Sequence, residues 1–290
     1  MKIDLEQVAT LGEGLFRPEG VMALEDGSLY AADARGCCML IDPEGRQALV
    51  GDLKGVPNGI CIDPDGCIIV ANIGNGEVQR LYSDGRHEVL VTRIGGRIMR
   101  APNFPYYDRQ GRLWVTNSTE HEEIDYVLQH PQPDGCVFVI TEAGAQIVAE
   151  GLYFANGVTL DWEEKYLYVA ESTACRIVRF PILSDNRLGE LEIYGPHHLG
   201  PIGYPDGIAF DCAQNLWVTF PIWNSVGYIT PEGELVMALT DPDRRVLQRP
   251  TNICFGGKDR TTAFLGSLDG RSIPYFNVPY PGMPLVHQSK

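Results

Sequence analysis

One short pattern recurs six times along the chain, and it limits the fold more than any other feature of the sequence. Each copy holds a polar anchor residue, a short apolar run, a turn, and a second apolar run. The first copy is Arg17-Pro18-Glu19-Gly20-Val21 followed by Leu29-Tyr30-Ala31-Ala32. The second is Val56-Pro57-Asn58-Gly59-Ile60 followed by Ile68-Ile69-Val70-Ala71-Asn72. Further copies are anchored at Asn103, Asn156, Asp206 and Asn252. Successive anchors lie 39, 45, 53, 50 and 46 residues apart, which is the ~40 to 50 residues of a four-stranded propeller blade. Two more strand-like runs follow in each unit, as in Cys38-Met39-Leu40-Ile41 and Gln47-Ala48-Leu49-Val50. No helical periodicity of useful length competes. The repeat therefore predicts an all-β fold: a six-bladed β-propeller with four-stranded antiparallel blades, one domain over residues 1–290. After Gly266 only Ser272 to Asn277 reads as a further strand, so the last blade is one short. Residues 2 to 9 are expected to supply the missing strand and close the ring.

Composition fits a folded body with many turns. The 32 glycines and 20 prolines are scattered rather than clustered, and 44% hydrophobic with 21% charged residues excludes a disordered or collagen-like chain. A formal charge of −15 repels a phosphate backbone, so a small-molecule substrate is the expected partner, with no nucleic acid and no membrane. No apolar run approaches the ~18 residues of a membrane span. The start, Met1-Lys2-Ile3-Asp4-Leu5-Glu6, lacks the basic end and apolar stretch of a secretory signal, and a cytoplasmic location is expected. The eight cysteines form no CxxC pair, and Cys61, Cys136 and Cys254 lie in apolar runs where a thiol acts as a small hydrophobe. A bridge from Cys61 to Cys67 across a turn is conceivable, but free core thiols are the expectation.

Propeller geometry turns register into location. The first strand of each blade is innermost, and its entry shares a face with the loop joining strands two and three. All six anchors then point toward one mouth of the central channel, rimmed by segments 33–37, 72–76, 117–134, 171–173, 220–224 and 267–269. The longest of these carries Glu120, His121, Glu122, Glu123 and Asp125 and is a candidate lid. Asn-Gly and Asp-Gly are also common turn dipeptides, so any one anchor read alone could be a turn. A turn does not explain a polar side chain at the same register in every unit. Carboxylates gathered in a narrow channel repel each other and lose hydration unless a proton or cation neutralises them. Carboxylate and amide oxygens without thiol or imidazole suit one hard divalent metal ion. Ca²⁺ leads, with Mg²⁺, Mn²⁺ or zinc in an open catalytic site as alternatives. The six histidines show no paired metal spacing, and only His121 falls on a rim segment.

These residues resemble a family. Arg17-Pro18-Glu19-Gly20, Pro102-Asn103 followed by Asp108-Arg109-Gln110-Gly111-Arg112-Leu113-Trp114, Ala155-Asn156-Gly157 and Tyr204-Pro205-Asp206-Gly207 are similar in order and spacing to the senescence marker protein, gluconolactonase and luciferin-regenerating enzyme family. The resemblance implies a single axial divalent metal held by Glu19, Asn156 and Asp206, with Asn103 facing the substrate, and a hydrolase acting on lactones. It gives Asp206 the role of taking a proton from the attacking water, with Asn103 and Asn58 orienting substrate. The chain also departs from the family. Where sugar-lactone members carry Arg two residues before the third-blade Asn and Asp-Gly after it, this chain has Ala101 and Phe104-Pro105, and Arg100 is one position off. Phe104 and Trp223, with Tyr106 and Tyr107, point to a less polar substrate, although each equally fits blade packing. Phe104, Trp223 and Glu120 therefore join Asn103 and Asn58 as candidate substrate contacts. A metal-dependent lyase, hydratase or isomerase and a non-catalytic ligand-binding propeller stay open as alternatives. A strictosidine-synthase-like condensation fits less well, because the anchors read as metal ligands rather than as a lone catalytic acid.

Overall fold

Asp residues in the turns between first and second strands organise the blades from within. Asp108 Oδ1 accepts the N–H groups of Gln110 and Arg112 at 2.9 Å, and its other oxygen accepts the indole N–H of the fully buried Trp114 at 2.8 Å. Asp211 repeats the arrangement with Ala213, Asn215 and Trp217. One carboxylate thus fixes the turn and the orientation of the largest core side chain of its blade.

The computed structural model, which describes residues 1–288, contains six four-stranded antiparallel sheets whose inner strands meet in cyclic order. Blade 1 is Val21–Ala23, Leu29–Asp33, Cys37–Ile41 and Gln47–Val50. Blade 2 is Pro57–Ile62, Ile68–Asn72, Glu77–Leu81 and His87–Val91. Blade 3 is Pro102–Tyr107, Leu113–Asn117, Gly135–Thr141 and Gly144–Leu152. Blade 4 is Ala155–Leu160, Tyr166–Glu171, Arg176–Pro181 and Glu192–Tyr194. Blade 5 is Ile208–Phe210, Leu216–Phe220, Ser225–Ile229 and Leu235–Thr240. Blade 6 takes Pro250–Gly256, Thr262–Ser267 and Ile273–Asn277 from the end of the chain and Ala9–Leu11 from its beginning.

The ring is closed by an N-terminal strand, as expected, but that strand is Ala9–Leu11, paired Ala9 to Tyr275 and Leu11 to Ile273. Residues 2 to 8 do something else. Asp4 and Gln7 cap each other around the short helix Leu5–Gln7, and Ile3 packs with Phe276 and Leu239 between the last two blades. The capping pair bends the chain out of extended conformation before it reaches the sheet edge. All eight cysteines are free, Cys61 and Cys67 included. Among the described residues no helix is long and apolar enough to cross a membrane.

None of the four Asn anchors lies in a hairpin turn. In blades 2, 3, 4 and 6 each sits inside the inner strand at a register shift, between Pro57 and Ile60, Pro102 and Pro105, Ala155 and Val158, and Pro250 and Ile253. In blades 1 and 5 the paired strand begins directly after Glu19-Gly20 and Asp206-Gly207. The anchor side chains are thereby released from strand alternation and re-aimed. The glycine after the anchor serves a different need, close approach between blades. A Cβ on Gly20 would lie 2.5 Å from Asn58 O, one on Gly59 2.4 Å from Asn103 O, and one on Gly157 2.4 Å from Asp206 O. The same gap is bridged by hydroxyls: Thr116 Oγ donates to Asn156 O at 2.7 Å, Ser172 Oγ to Pro205 O at 2.6 Å, and Thr219 Oγ to Thr251 O at 2.7 Å. Gly157→Ala should therefore cost about 3 kcal/mol or more through a clash with backbone that cannot yield. Gly111→Ala, at φ 80° with open space around it, should cost about 1 kcal/mol. Chemical denaturation of the two variants measures the difference.

Candidate metal centre and its cavity

The released anchors meet at the bottom of a cavity of about 420 Å³ on the rim face. Glu19, Asn103, Asn156 and Asp206 line its deep end. Higher up, five of the six rim segments each supply a wall residue: Ile73, Ile124 with Leu128, Ser172, Ile222 and Leu268. The sixth, 33–37, turns inward on itself, with Arg35 paired to the buried Asp33 at 2.6 Å. The long third segment contains a short helix, Ile124–Gln129, and places Ile124, Asp125 and Leu128 over the opening. Tyr204 donates its hydroxyl to Leu128 O at 3.3 Å, which ties this lid to the loop that leads into blade 5.

Two carboxylates share this deep end. Burial pushes the Glu19 carboxyl above its ordinary value, against the pull of Arg17, whose guanidinium lies on it. Burial pushes Asp206 well above its ordinary value, and the Glu19 charge adds to the rise. Asp206 keeps a water-accessible edge on the cavity while sitting deep among protein atoms. The Asn58 and Asn156 amides reach Glu19 and Asp206 respectively and oppose the shifts without cancelling them. Without a cation the penalty is absent below the ordinary values, 3.8 for Asp and 4.5 for Glu, and grows as pH rises through the raised ones.

The donor set fits a hard divalent ion. Asn156 donates from its Nδ2 to Ser172 Oγ at 3.2 Å, which turns its Oδ1 the other way, and that oxygen is buried with no hydrogen-bond partner. An orphaned amide oxygen beside two mutually repelling carboxylates is the environment a cation relieves. Among the described residues no three His, Cys, Asp or Glu side chains gather in this way; the site holds two acids, and amide oxygens complete it.

The other anchors divide. Asn103 lines the cavity, with its Nδ2 donated to Ser118 Oγ at 2.8 Å and its Oδ1 accepting from Asn58 at 3.2 Å. Asn58 stands behind it, bridging Asn103 and Arg17. Asn252 does not face the cavity: its Oδ1 accepts the Val21 N–H at 2.8 Å and joins blade 6 to blade 1.

Three expected substrate contacts lie elsewhere. Phe104 stands where blades 1, 2, 4 and 5 carry glycine and packs against the bare Cα of Gly59, on the opposite end of the channel from the mouth. Trp223 covers Gly200 and Gly203 and donates to Pro201 O at 3.2 Å. Glu120 is taken by Arg97, and Arg100 is drawn to Glu122 at 2.9 Å. Tyr106 and Tyr107 also belong to the opposite end. His121 stacks on Tyr126 of the lid and does not line the cavity.

Reasoning from sequence missed Arg17, Phe154, Tyr204 and Arg249, all of which line the cavity. Arg17, Phe154 and Arg249 share a left-handed backbone at φ 49°, 55° and 60°, a conformation costing of order 1 kcal/mol each that aims their side chains inward. The signal was the Arg-Pro dipeptide shortly before the anchor in the first and last units, read there as punctuation rather than as charge. Arg249 is the less committed of the two cations, its nearest acid being Asp269 at 3.9 Å.

Asp206→Asn should raise the melting temperature of chelator-treated protein at pH 8 by a few degrees, on a scale of ~2–4 °C per kcal/mol, because it removes one of two repelling charges. The same substitution should abolish the rise that added Ca²⁺ gives the parent, and differential scanning calorimetry with and without the ion reads both.

Residues 98–269 match the SMP-30/Gluconolactonase/LRE-like region. Gluconolactonase from Zymomonas mobilis is 26% identical over 216 residues, which cover 70% of this chain and 59% of that protein. Protein STRICTOSIDINE SYNTHASE-LIKE 6 from Arabidopsis thaliana is 26% identical over 224 residues, covering 73% and 58%. The chain thus spans about three fifths of the length of these curated relatives. Among solved structures, a gluconolactonase from Xanthomonas campestris superposes with a TM-score of 0.77 at 21% identity, over 94% of this chain and 89% of that one. The calcium-binding protein regucalcin from Agrobacterium tumefaciens gives 0.75 at 12% identity, over 95% and 98%. Both share the fold. The region match takes in more than half of the sequence, including the lid and the anchors Asn103, Asn156 and Asp206, and the chain belongs to the SMP-30/gluconolactonase/LRE-like family.

Proposed function

We propose that the chain is a divalent-metal-dependent hydrolase that opens a lactone, a carboxylic ester closed into a ring. The observation that carries this reading is the buried Glu19 and Asp206 pair beside the unpartnered Asn156 Oδ1. Glu19, Asn156 and Asp206 would hold the ion, and an all-oxygen donor set favours calcium. When bound, a divalent ion supplies Lewis-acid polarisation of the ester carbonyl and charge for the developing oxyanion.

The chain's own residues do the rest. Asp206 is the group suited to take the proton of the attacking water at a carboxylate oxygen, since burial makes it a stronger base than a solvated aspartate. Asn103 is gripped by Ser118 and Asn58, so its amide is fixed before substrate arrives. Arg249 offers a lightly paired guanidinium to the carboxylate that ring opening creates. Ile124 and Leu128 reduce water access from above. Similarity to curated gluconolactonases supports the reaction class, and the calcium-binding relative of the same fold supports the ion.

On a lactone the parent turns over, Asp206→Asn should lower kcat by about 10²- to 10⁴-fold with the fold retained. Turnover by the parent should also stop in chelator and return on adding Ca²⁺. Near-parent turnover by the variant overturns Asp206 as base. A stoichiometric ion with no hydrolysis across a lactone panel moves the reading to a metal-dependent lyase or isomerase.

A further inference from the structure

We infer that the cavity takes an apolar-substituted lactone or ester rather than a polyhydroxylated one. This rests on the reading of the site as a metal-dependent hydrolase and names its substrate class. Two independent observations carry it. The first is the wall. Ile73, Ile124 with Leu128, Phe154, Ile222 and Leu268 come from five separate segments of chain, yet all face the same space above the acids. They form an apolar sleeve over a polar deep end. Exposed apolar side chains stand beside these elements, with Phe16 next to Arg17, Tyr126 on the lid helix and Ile202 in the loop leading to Tyr204.

The second observation is how few polar groups are free to meet hydroxyls. A polyol lactone needs a donor or acceptor for each ring substituent, and leaving them unpaired in a closed site is costly. The polar groups deep in this cavity are largely satisfied by one another. Both Asn103 amide atoms are engaged, by Ser118 and Asn58. Ser172 Oγ accepts from Asn156 and donates to Pro205 O. Arg17 is divided between Glu19 and Asn58. What stays available is the cluster Glu19, Asn156 and Asp206 for the ion, with Arg249, Asp125 and Asp269 higher in the cavity. That inventory serves one ester group and leaves the rest of the ligand to hydrocarbon contact. The lid contributes to the same end, since Tyr204 holds Leu128 across the opening by its main-chain oxygen and leaves the Leu128 side chain to the cavity.

The test compares δ-gluconolactone with γ-butyrolactone and its 4-ethyl and 4-hexyl derivatives, using the Ca²⁺-loaded parent, Leu128→Asn and Ile222→Asn. The inference expects kcat/KM to rise about two- to fourfold per added methylene in the parent. It expects the slope to flatten in both variants while their Ca²⁺ affinity and melting temperature stay near the parent's. A flat series, or preference for δ-gluconolactone, overturns it. Should none of these lactones be hydrolysed, calorimetric binding of 4-hydroxydecanoate against gluconate decides separately. Tighter binding of the long-chain acid, lost in Leu128→Asn, sustains the apolar ligand class and overturns lactone hydrolysis, whereas equal binding overturns both.

Discussion

Everything at the mouth depends on how closely the inner strands crowd the axis. The strand of one blade lies so near the next that a methyl group on Gly59 or Gly157 has no room, and a carbonyl oxygen fills the place of a side chain. That crowding leaves carbonyls facing a neighbouring blade without strand partners, and Thr116, Ser172, Thr219 and Thr251 satisfy them with hydroxyl bonds. The hydroxyls stitch blade to blade at the radius where the anchors project. Glu19, Asn156 and Asp206, from blades 1, 4 and 5, therefore do not rest on flexible loops. They are fixed by the packing that holds the ring together.

The same crowding explains why the polar ring is unequal. Six anchors occupy one register, but the gaps between blades differ in what they need. Asn252 is used to receive the Val21 N–H at the seam between the last blade and the first, and Asn58 is used to brace Arg17 and Asn103. Of the six, Asn156 presents a buried oxygen without a hydrogen-bond partner, and Glu19 and Asp206 carry charge that burial makes costly in spite of Arg17 and the neighbouring amides. The selection of three from six follows from hydrogen-bond supply, not from position.

Much of this was legible in the sequence because the repeat is itself a spatial statement. The shared register of the anchors within each repeat placed Glu19, Asn156 and Asp206 together before any coordinates, and the long interval between Asn103 and Asn156 marked the lid. What failed were inferences from residue type alone. Phe104 and Trp223 look like ligand contacts as aromatics near an opening, yet each fills a hole left by glycine, and that pairing lies between residues far apart in the chain. Glu120 looked like a free acid on the lid, but Arg97, from the short hairpin Arg93–Ile94 and Arg97–Ile98, consumes it. Arg17 and Arg249 were hidden by their prolines. The left-handed backbone that aims them inward is set by tertiary packing and has no local signature in the sequence. The closing strand was found but misplaced, because Asp4 and Gln7 were not recognised as a capping pair.

The seam between blade 6 and blade 1 has a consequence for the order in which the molecule is made. Thr251 Oγ donates to Glu19 O at 3.0 Å, joining residues 232 positions apart, and the outermost strand of the last blade is drawn from the first residues of the chain. A ribosome releases Glu19 early and Thr251 late. Thr251 O also accepts the Gly207 N–H at 2.6 Å and the Thr219 hydroxyl at 2.7 Å, so both Glu19 and Asp206 lack a positioning neighbour until the sixth blade is made. The arrangement of Glu19, Asn156 and Asp206 is thus completed near the end of synthesis, and a chain stalled before its sixth blade carries all three residues without the contacts that set two of them.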